Sequence, residues 1–174
     1  MMEYLGNEIT VILTTWKRDY LENQLRCIMN QTKKPYAVWV YQNESHIEIR
    51  DEFRKSLNIK LIQSKDINFK FHGRFTLPLL CDTEYVAIFD DDTMPGPGWL
   101  DNCLQLSKKQ NCIVGANGRI LRDDFLDADC ESSIGLGDGA QISEETEVDF
   151  VGHCWFFKSE WCKYMWLDRP ATWD

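Results

Sequence analysis

The chain has 174 residues, of which 44% are apolar and 27% are charged. A chain of this length can bury a core as one domain without metal or disulfide support. Its net charge is −9, which argues against a protein that mainly binds nucleic acid, because phosphate contacts need a basic face. No run approaches the roughly 18 to 20 consecutive apolar residues of a membrane span. We therefore expect no transmembrane segment, and the first eight residues show no apolar core of a signal peptide.

The seven cysteines are scattered, odd in number and contain no C-x-x-C pair. In a secreted protein an odd cysteine would leave a reactive thiol, whereas in a reducing compartment cysteines are small apolar side chains. We therefore expect a cytoplasmic protein.

Strand and helix patterns alternate along the first ninety residues. Short β-branched runs predict strands, and apolar residues three and four apart predict amphipathic helices. Asp19 is the predicted cap of the first helix. The predicted strands are residues 9–14, 36–41, 59–62 and 84–89, and the helical segments between them are residues 20–30, 49–57 and 75–80.

This alternation predicts right-handed crossovers and a parallel sheet covered by helices on both faces. Ligands of such sheets bind beyond the carboxyl ends of the strands. The segments that follow the predicted strands are all polar, and we expect the functional site among them: residues 14–18, 42–45, 65–74 and 90–92.

The second half of the chain is less regular. A Pro-Gly turn at 95–98 precedes a predicted helix that begins at Trp99, and the acidic, Gly- and Ser-rich segment 123–147 is predicted to be a loop. Ser159 is the predicted cap of a last helix over 159–165. Short strands are predicted at 113–114, 119–121, 148–151 and 155–157.

Asp90, Asp91 and Asp92 come directly after the most apolar strand. Three adjacent carboxylates repel one another unless a cation neutralises them, and oxygen ligands suit Mg²⁺ or Mn²⁺. A bound divalent cation would also convert an acidic pocket into a phosphate site. The alternative is an acidic turn that water alone solvates.

Five segments in this order resemble the GT-A glycosyltransferases, especially family 2, and the chain also resembles the amino-terminal domain of a multidomain viral glycosyltransferase. The D-x-D region of that family resembles residues 84–95 and 98–100, and its later Gly-aromatic-basic stretch resembles residues 152–158. The other matches are residues 11–18, 38–45 and 73–74. The resemblance implies an α/β fold of the GT-A (Rossmann-like) type. It has a mostly parallel sheet flanked by helices, with a smaller antiparallel region on the acceptor side.

The resemblance implies one domain, with a nucleotide-binding half at 1–95 and an acceptor half at 96–174, which other domains of a longer chain could accompany. It implies transfer of a sugar from a nucleoside-diphosphate donor, such as a UDP-sugar, to a glycan or other hydroxyl acceptor with Mn²⁺ or Mg²⁺. Asp92 and Asp90 would hold the metal, and Asp90 could instead contact the ribose. The other implied donor contacts are Thr14, Thr15, Arg18, Asn43 beside the base, Arg74 and Asp91, and the implied sugar or acceptor contacts are Gly152, His153 and Trp155.

Several alternatives stay open at this point. Arg18 and Arg74 could each be a solvent-facing salt-bridge partner, and His153 could be an ordinary hydrogen-bonded histidine, a sugar contact or a further metal ligand. The three histidines and the cysteines lack the spacing of a zinc site. The family's general base follows the Gly-aromatic stretch, which places it beyond Asp174, and Asp149 is the candidate within these 174 residues.

Two other functions compete with the transferase. A phosphatase of the haloacid dehalogenase type also ends a strand in D-x-D, but Met94 stands where that motif has Thr or Val. That motif also follows an early strand, whereas this one follows the fourth. The second competitor is a non-catalytic module that binds nucleotide sugars or glycans.

Overall fold

A computed structural model describes residues 8–16, 18–44, 47–121, 133–136 and 144–167 of the protein. Its strands are β1 (Ile9–Thr15), β2 (Ala37–Asn43), β3 (Ile59–Ser64), β4 (Tyr85–Phe89), β5 (Asn117–Leu121), β6 (Ser133–Leu136), β7 (Phe150–Gly152) and β8 (Cys154–Lys158). Its α-helices are α1 (Leu21–Met29), α2 (Asp51–Ser56), α3 (His72–Thr76), α4 (Trp99–Gln110) and α5 (Cys162–Met165), with short 3-10 helices at Leu77–Leu80 and Ser159–Trp161.

Five strands form the central sheet in the order β3-β2-β1-β4-β8. The first four are parallel, and β8 runs antiparallel to β4. Every residue of β1, β2 and β4 is buried, which is typical of parallel strands with helices on both faces. One face packs on α1, α2 and α4, and the other packs on α3, α5 and the 3-10 helix before β4. The predicted α/β class and parallel sheet are confirmed.

The strand order fixes where a crevice opens. From β1 the chain crosses to β2 and β3 on one side, and it then returns to β4 on the other side of β1. The carboxyl ends of β1 and β4 therefore flank a topological switch point, which is where open α/β sheets bind ligands. Thr14, Thr15 and Asp90 lie at these two strand ends.

A second, three-stranded antiparallel sheet has the order β6-β5-β7. It joins the central sheet through a single residue, His153, between β7 and β8. The predicted 123–147 loop is wrong at β6, which pairs with β5, and the rest of that segment up to residue 143 lies outside the described residues. The predicted strand at 113–114 is also wrong, because Val114 makes only an isolated bridge to Phe156.

Both predicted helix caps are wrong, because neither Asp19 nor Ser159 caps a helix with its side chain. Tyr20 precedes α1, and no side chain caps that helix. The Ser159 hydroxyl donates to the carbonyl of Thr83 at 2.6 Å, which ties the end of β8 to the start of β4. The segment 159–165 is a 3-10 turn followed by the single turn of α5.

The described cysteines are free thiols, and burial raises the pKa of Cys154 and of Cys162 to about 11. Cys103, Cys154 and Cys162 are core side chains, whereas Cys27, Cys81 and Cys112 are partly buried. Within the described residues, no helix combines the length and the apolar character needed to cross a bilayer.

Gln31 joins α1 to α4 and is almost fully buried. Its amide nitrogen donates to the carbonyl of Gly96 at 2.7 Å, and its amide oxygen accepts from the backbone nitrogen of Leu100 at 3.0 Å. One side chain thus satisfies a turn carbonyl and one of the first amides of α4, which have no partner within the helix.

We predict that Gln31→Leu lowers the free energy of unfolding by about 1 to 3 kcal/mol, because it leaves the backbone nitrogen of the buried Leu100 without a partner. Urea unfolding measures the change. Gln110→Leu on the exposed end of α4 is the control and should shift stability by less than about 0.5 kcal/mol. Equal stabilities of the two variants would contradict the role of Gln31.

Candidate functional site

An acidic turn, Asp90–Asp92, follows β4 directly and is held by hydrogen bonds to His153 and Gln24. The backbone nitrogen of Asp90 donates to the carbonyl of His153 at 3.2 Å. The amide of Gln24, on α1, donates to the carbonyl of Asp90 at 2.6 Å and to that of Thr93 at 3.1 Å. Because Gln24 is fully buried, the turn has a fixed place at the end of the sheet.

Two arginines neutralise the acidic turn. Arg74 of α3 forms an ion pair with Asp90. Arg18, in the loop after β1, pairs with Asp92 and also with Asp91, at 3.1 Å from the Asp91 carboxylate. The Arg18 side chain is 52% exposed, whereas that of Arg74 is only 14% exposed. Arg18 is therefore a half-exposed ion-pair partner, and Arg74 is a largely buried cation.

Two aromatic rings lie close to the Arg74 guanidinium. Its central carbon lies 5.6 Å from the ring centre of Phe71 and 5.9 Å from that of Trp155, within the range of cation–π attraction. Burial lowers the pKa of Arg74, and the nearby carboxylates of Asp91 and Asp92 oppose that change. The group stays charged, and its Nε has no hydrogen-bond partner among the described residues. A buried donor of this kind suits an anionic ligand.

The end of β2 lies beside a polar network. The Tyr41 hydroxyl lies 3.4 Å from Asn43 Oδ1, and the Asn43 amide nitrogen donates to Asn68 Oδ1. The Asn68 amide nitrogen donates in turn to Glu44 at 2.9 Å, and Glu44 also accepts from the Trp16 indole at 3.0 Å. This network closes the edge of the crevice opposite β4.

The two threonines at the end of β1 have different surroundings. The Thr14 hydroxyl donates to the carbonyl of Phe89 at 3.1 Å and so fastens β1 to β4. Thr15 is buried, and its hydroxyl has no hydrogen-bond partner among the described residues. The Thr14 hydroxyl is therefore occupied by a hydrogen bond that joins two strands. The Thr15 hydroxyl can still accept or donate a hydrogen bond.

The residues predicted for the acceptor side meet the acidic turn through the backbone. The carbonyl of His153 accepts from Thr93 Oγ1 at 3.2 Å as well as from Asp90, and His153 has a φ of 63°. The indole nitrogen of Trp155 donates to the carbonyl of Val151 at 3.0 Å. His153 thus connects the two sheets through its backbone, and its imidazole is exposed.

Asp149, the candidate base, lies before β7. Its carboxylate accepts from the backbone nitrogen of Leu121 at 2.6 Å, and its own nitrogen donates to the carbonyl of Arg119. These bonds hold the edge of the small sheet. A role of Asp149 as a base stays a prediction.

The donor atoms at the acidic turn suit a hard divalent cation. Within the described ranges no three histidine, cysteine, aspartate or glutamate side chains gather into a group that could hold a metal ion. Mg²⁺ sites commonly use one or two carboxylates and complete their shell with water and substrate phosphates. Asp90 and Asp92 fit that pattern.

Trp16, Glu44 and Asn68 lie within the predicted site segments 14–18, 42–45 and 65–74, although none was named as a site residue, and Gln24 lies outside all of those segments. Gln24 lies within an amphipathic helix and contacts a turn 66 residues away, so no local pattern marks it. Its one signal is a glutamine on the apolar face of α1, where a buried polar group needs partners.

Comparisons with known proteins agree with this geometry. The family model described as glycosyl transferase family 2 matches residues 10–166. The curated chondroitin synthase of Escherichia coli is 32% identical over 104 residues, which is 56% of this chain and 15% of that protein.

Solved structures of S. aureus TarS 1–349 are similar in fold. The complex with UDP has a TM-score of 0.62 at 14% identity and covers 94% of this chain and 50% of its own. The complex with UDP-GlcNAc has the same score and identity and covers 48% of its own chain. These likenesses confirm the predicted fold class. The chain spans about half of these TarS chains and a much smaller part of chondroitin synthase.

Gly73 allows α3 to approach the Tyr41 ring. A Cβ at this position would lie 2.7 Å from the Tyr41 hydroxyl and ring. We predict that Gly73→Ala lowers the free energy of unfolding by about 1 to 2 kcal/mol. The clash of the added methyl group with Tyr41 costs more than alanine gains in helix propensity. Urea unfolding and near-ultraviolet circular dichroism of the tyrosines measure the effect.

The matched control is Gly96→Ala, where a Cβ meets no atom within 4 Å. This variant should be as stable as the parent protein, or slightly more stable. A Gly73→Ala protein with the stability of the Gly96→Ala protein would contradict the close approach.

Proposed function

The chain belongs to glycosyl transferase family 2, and from this premise we propose that it transfers a sugar from a nucleoside-diphosphate donor to a hydroxyl acceptor with Mg²⁺ or Mn²⁺. The donor is a UDP-sugar, as the TarS complexes with UDP and UDP-GlcNAc suggest. The acceptor is a glycan or another hydroxyl compound. The observation that carries the proposal is the acidic turn paired with two arginines at the switch point of the sheet.

Charge balance supports a metal diphosphate at this place. The turn brings three carboxylates, and Arg18 and Arg74 bring two positive charges. A donor diphosphate would attract the guanidinium groups, whose planar forks suit phosphate oxygens. A divalent cation would take their place on Asp92 and Asp90. Asp90, Asp92, the two guanidinium groups and the diphosphate each keep an opposite partner through this exchange, so the site accepts the metal and the diphosphate together.

The chain's own residues bind and orient the donor. Arg18 and Arg74 donate to the diphosphate, and the rings of Phe71 and Trp155 keep water from Arg74, which strengthens its attraction for phosphate. The Thr15 hydroxyl and Asn43 line the nucleotide. A bound divalent cation supplies charge stabilisation for the departing diphosphate.

In the reaction, an acceptor hydroxyl attacks the anomeric carbon. The bond from that carbon to the diphosphate oxygen breaks, and the hydroxyl proton passes to a carboxylate base in an inverting mechanism. Asp149 is the candidate for that base within these 174 residues, and the family pattern favours a carboxylate that follows Asp174. Gly152, His153 and Trp155 form the sugar and acceptor side, with the His153 imidazole available for a hydrogen bond.

The family assignment excludes the phosphatase alternative. A module that binds the donor without catalysis shares the same metal and nucleotide contacts, and product formation from a UDP-sugar distinguishes it. We further propose that the protein works in a reducing compartment such as the cytoplasm, because its described thiols are free, and that other domains accompany it in a longer chain.

We predict that Asp92→Ala removes the metal-dependent part of UDP binding. Titration calorimetry with UDP, in Mn²⁺ and in a chelator, should show a metal-dependent gain in affinity for the parent protein. Loss of a carboxylate ligand should reduce that gain at least ~10-fold, because mutation of even an outer-shell partner of a metal lowers metal affinity by about 10- to 100-fold. Circular dichroism should show an intact fold, because Asp92 makes no backbone contact that holds the sheet.

Asp82→Ala is the control, since Asp82 is exposed and precedes β4 at the opposite end of the strand. It should keep the full gain in UDP affinity with Mn²⁺. The same gain in Asp92→Ala would overturn the role of Asp92 in holding the metal.

A further inference from the structure

We propose that Glu44 and Asn68 are positioning residues that hold the Asn43 amide in one orientation, so that the site selects uracil over cytosine. The inference rests on the proposed function, because it specifies the base of the donor nucleotide. It comes from a chain of hydrogen bonds from Glu44 through Asn68 to Asn43, in which the identity of each donor and each acceptor is fixed.

Glu44 begins this chain of hydrogen bonds as an acceptor. An ionised carboxylate has no proton to donate, and Glu44 Oε2 accepts from the Trp16 indole at 3.0 Å and from Asn68 Nδ2 at 2.9 Å. The indole nitrogen can only donate. The Asn68 side chain must therefore direct its NH₂ group toward Glu44.

The orientation of Asn68 fixes its other end. Asn68 Oδ1 accepts from the backbone nitrogen of Lys70 at 2.7 Å and from Asn43 Nδ2. If the Asn68 amide turned over, its NH₂ group would face the amide hydrogen of Lys70, and two donors would meet. Asn43 consequently directs its NH₂ group toward Asn68.

The oxygen of Asn43 then lies on the other side. Asn43 is 6% exposed, and its Oδ1 lies 3.4 Å from the Tyr41 hydroxyl, a long contact. A carbonyl oxygen accepts two hydrogen bonds, so Oδ1 has capacity for a donor from a ligand. The network thus removes the ambiguity of an amide, which by itself could either donate or accept.

The backbone around the network adds to this argument. Glu44 and Lys70 both have positive φ, at 66° and 49°. Residues other than glycine adopt this backbone conformation at a cost in free energy. The Glu44 nitrogen donates to the carbonyl of Ser64 at 3.1 Å, which holds this conformation at the end of β2. Strain of this kind concentrates at functional sites.

A fixed acceptor distinguishes bases by their ring nitrogens. Uracil has an N3–H donor, whereas N3 of neutral cytosine is an acceptor. Opposite Asn43 Oδ1, cytosine would bring two acceptors together in a largely buried place and leave both unpaired. A mismatch of this kind lowers affinity by about 10 to 100-fold.

The test compares UDP with CDP by titration calorimetry in Mn²⁺. The parent protein should bind UDP at least ~10-fold more tightly than CDP. Asn68→Leu removes the partner that orients Asn43, and the UDP/CDP ratio should fall to about 3 or less. Glu44→Ala should lower the ratio in the same direction, and it serves as the second variant if Asn68→Leu does not fold. Asn58→Leu, on an exposed residue before β3, should keep the parent ratio.

A rescue separates orientation from general damage. Asn43→Asp supplies a carboxylate that accepts whichever way it turns, and it is combined with Asn68→Leu because Asn68 Oδ1 would face the new carboxylate as a second acceptor. The double variant should recover a UDP/CDP ratio of at least ~10, which Asn68→Leu alone loses. A merely structural role for Asn68 would leave the double variant with the low ratio of Asn68→Leu.

The outcomes are distinguishable. UDP binding with no preference over CDP, or an unchanged ratio in Asn68→Leu and Glu44→Ala, overturns this inference and leaves the proposed function standing. A ratio that falls equally with and without Asn43→Asp also overturns it. If the folded parent protein binds neither nucleotide, the proposed function fails and this inference fails with it.

Discussion

The site depends on the neutralisation of three carboxylates at the end of a fully buried strand. β4 delivers Asp90, Asp91 and Asp92 to one turn, where they would repel one another without cations nearby. Arg18 and Arg74 supply those cations from two different elements. The two arginines differ in exposure, so the pair on Asp90 is largely removed from water whereas the pairs of Arg18 are screened. A ligand that carries a cation and an anion can replace both sets of pairs at once.

The rest of the fold keeps this turn in one place. The strand order sets the ends of β1 and β4 on either side of a crevice, and the buried amide of Gln24 and the carbonyl of His153 bond to the turn from opposite sides. Because β7 and β8 meet at His153, the small sheet is coupled to the same turn. The acidic turn therefore contacts both the strand ends of the central sheet, where we place the nucleotide, and the small sheet, where we place the acceptor.

Local patterns predicted much of this architecture. β-branched and apolar runs bounded by polar residues identified the four parallel strands, of which β1, β2 and β4 are fully buried and β3 is a partly exposed edge strand. The acidic turn was identifiable because three carboxylates directly after an apolar strand are unusual, and Arg74 was identified through the family resemblance. The helix caps were predicted wrongly, because Ser159 bonds to Thr83 across 76 residues, a partner that propensity does not reveal. β6 was missed because pairing with β5 decides its structure. Gln24 and Asn68 act through contacts between distant segments, and local sequence carries no record of those.

The central claim is that this turn holds a metal diphosphate, and a crystal structure with Mn²⁺ and UDP tests it most directly. Anomalous scattering at the manganese edge locates the ion independently of the nucleotide. The account predicts manganese on Asp92 and Asp90, the diphosphate between that ion and the two arginines, and the uracil beside Asn43. A structure with manganese and UDP bound at another face of the protein, or with the arginines still paired to the aspartates beside bound UDP, would contradict it.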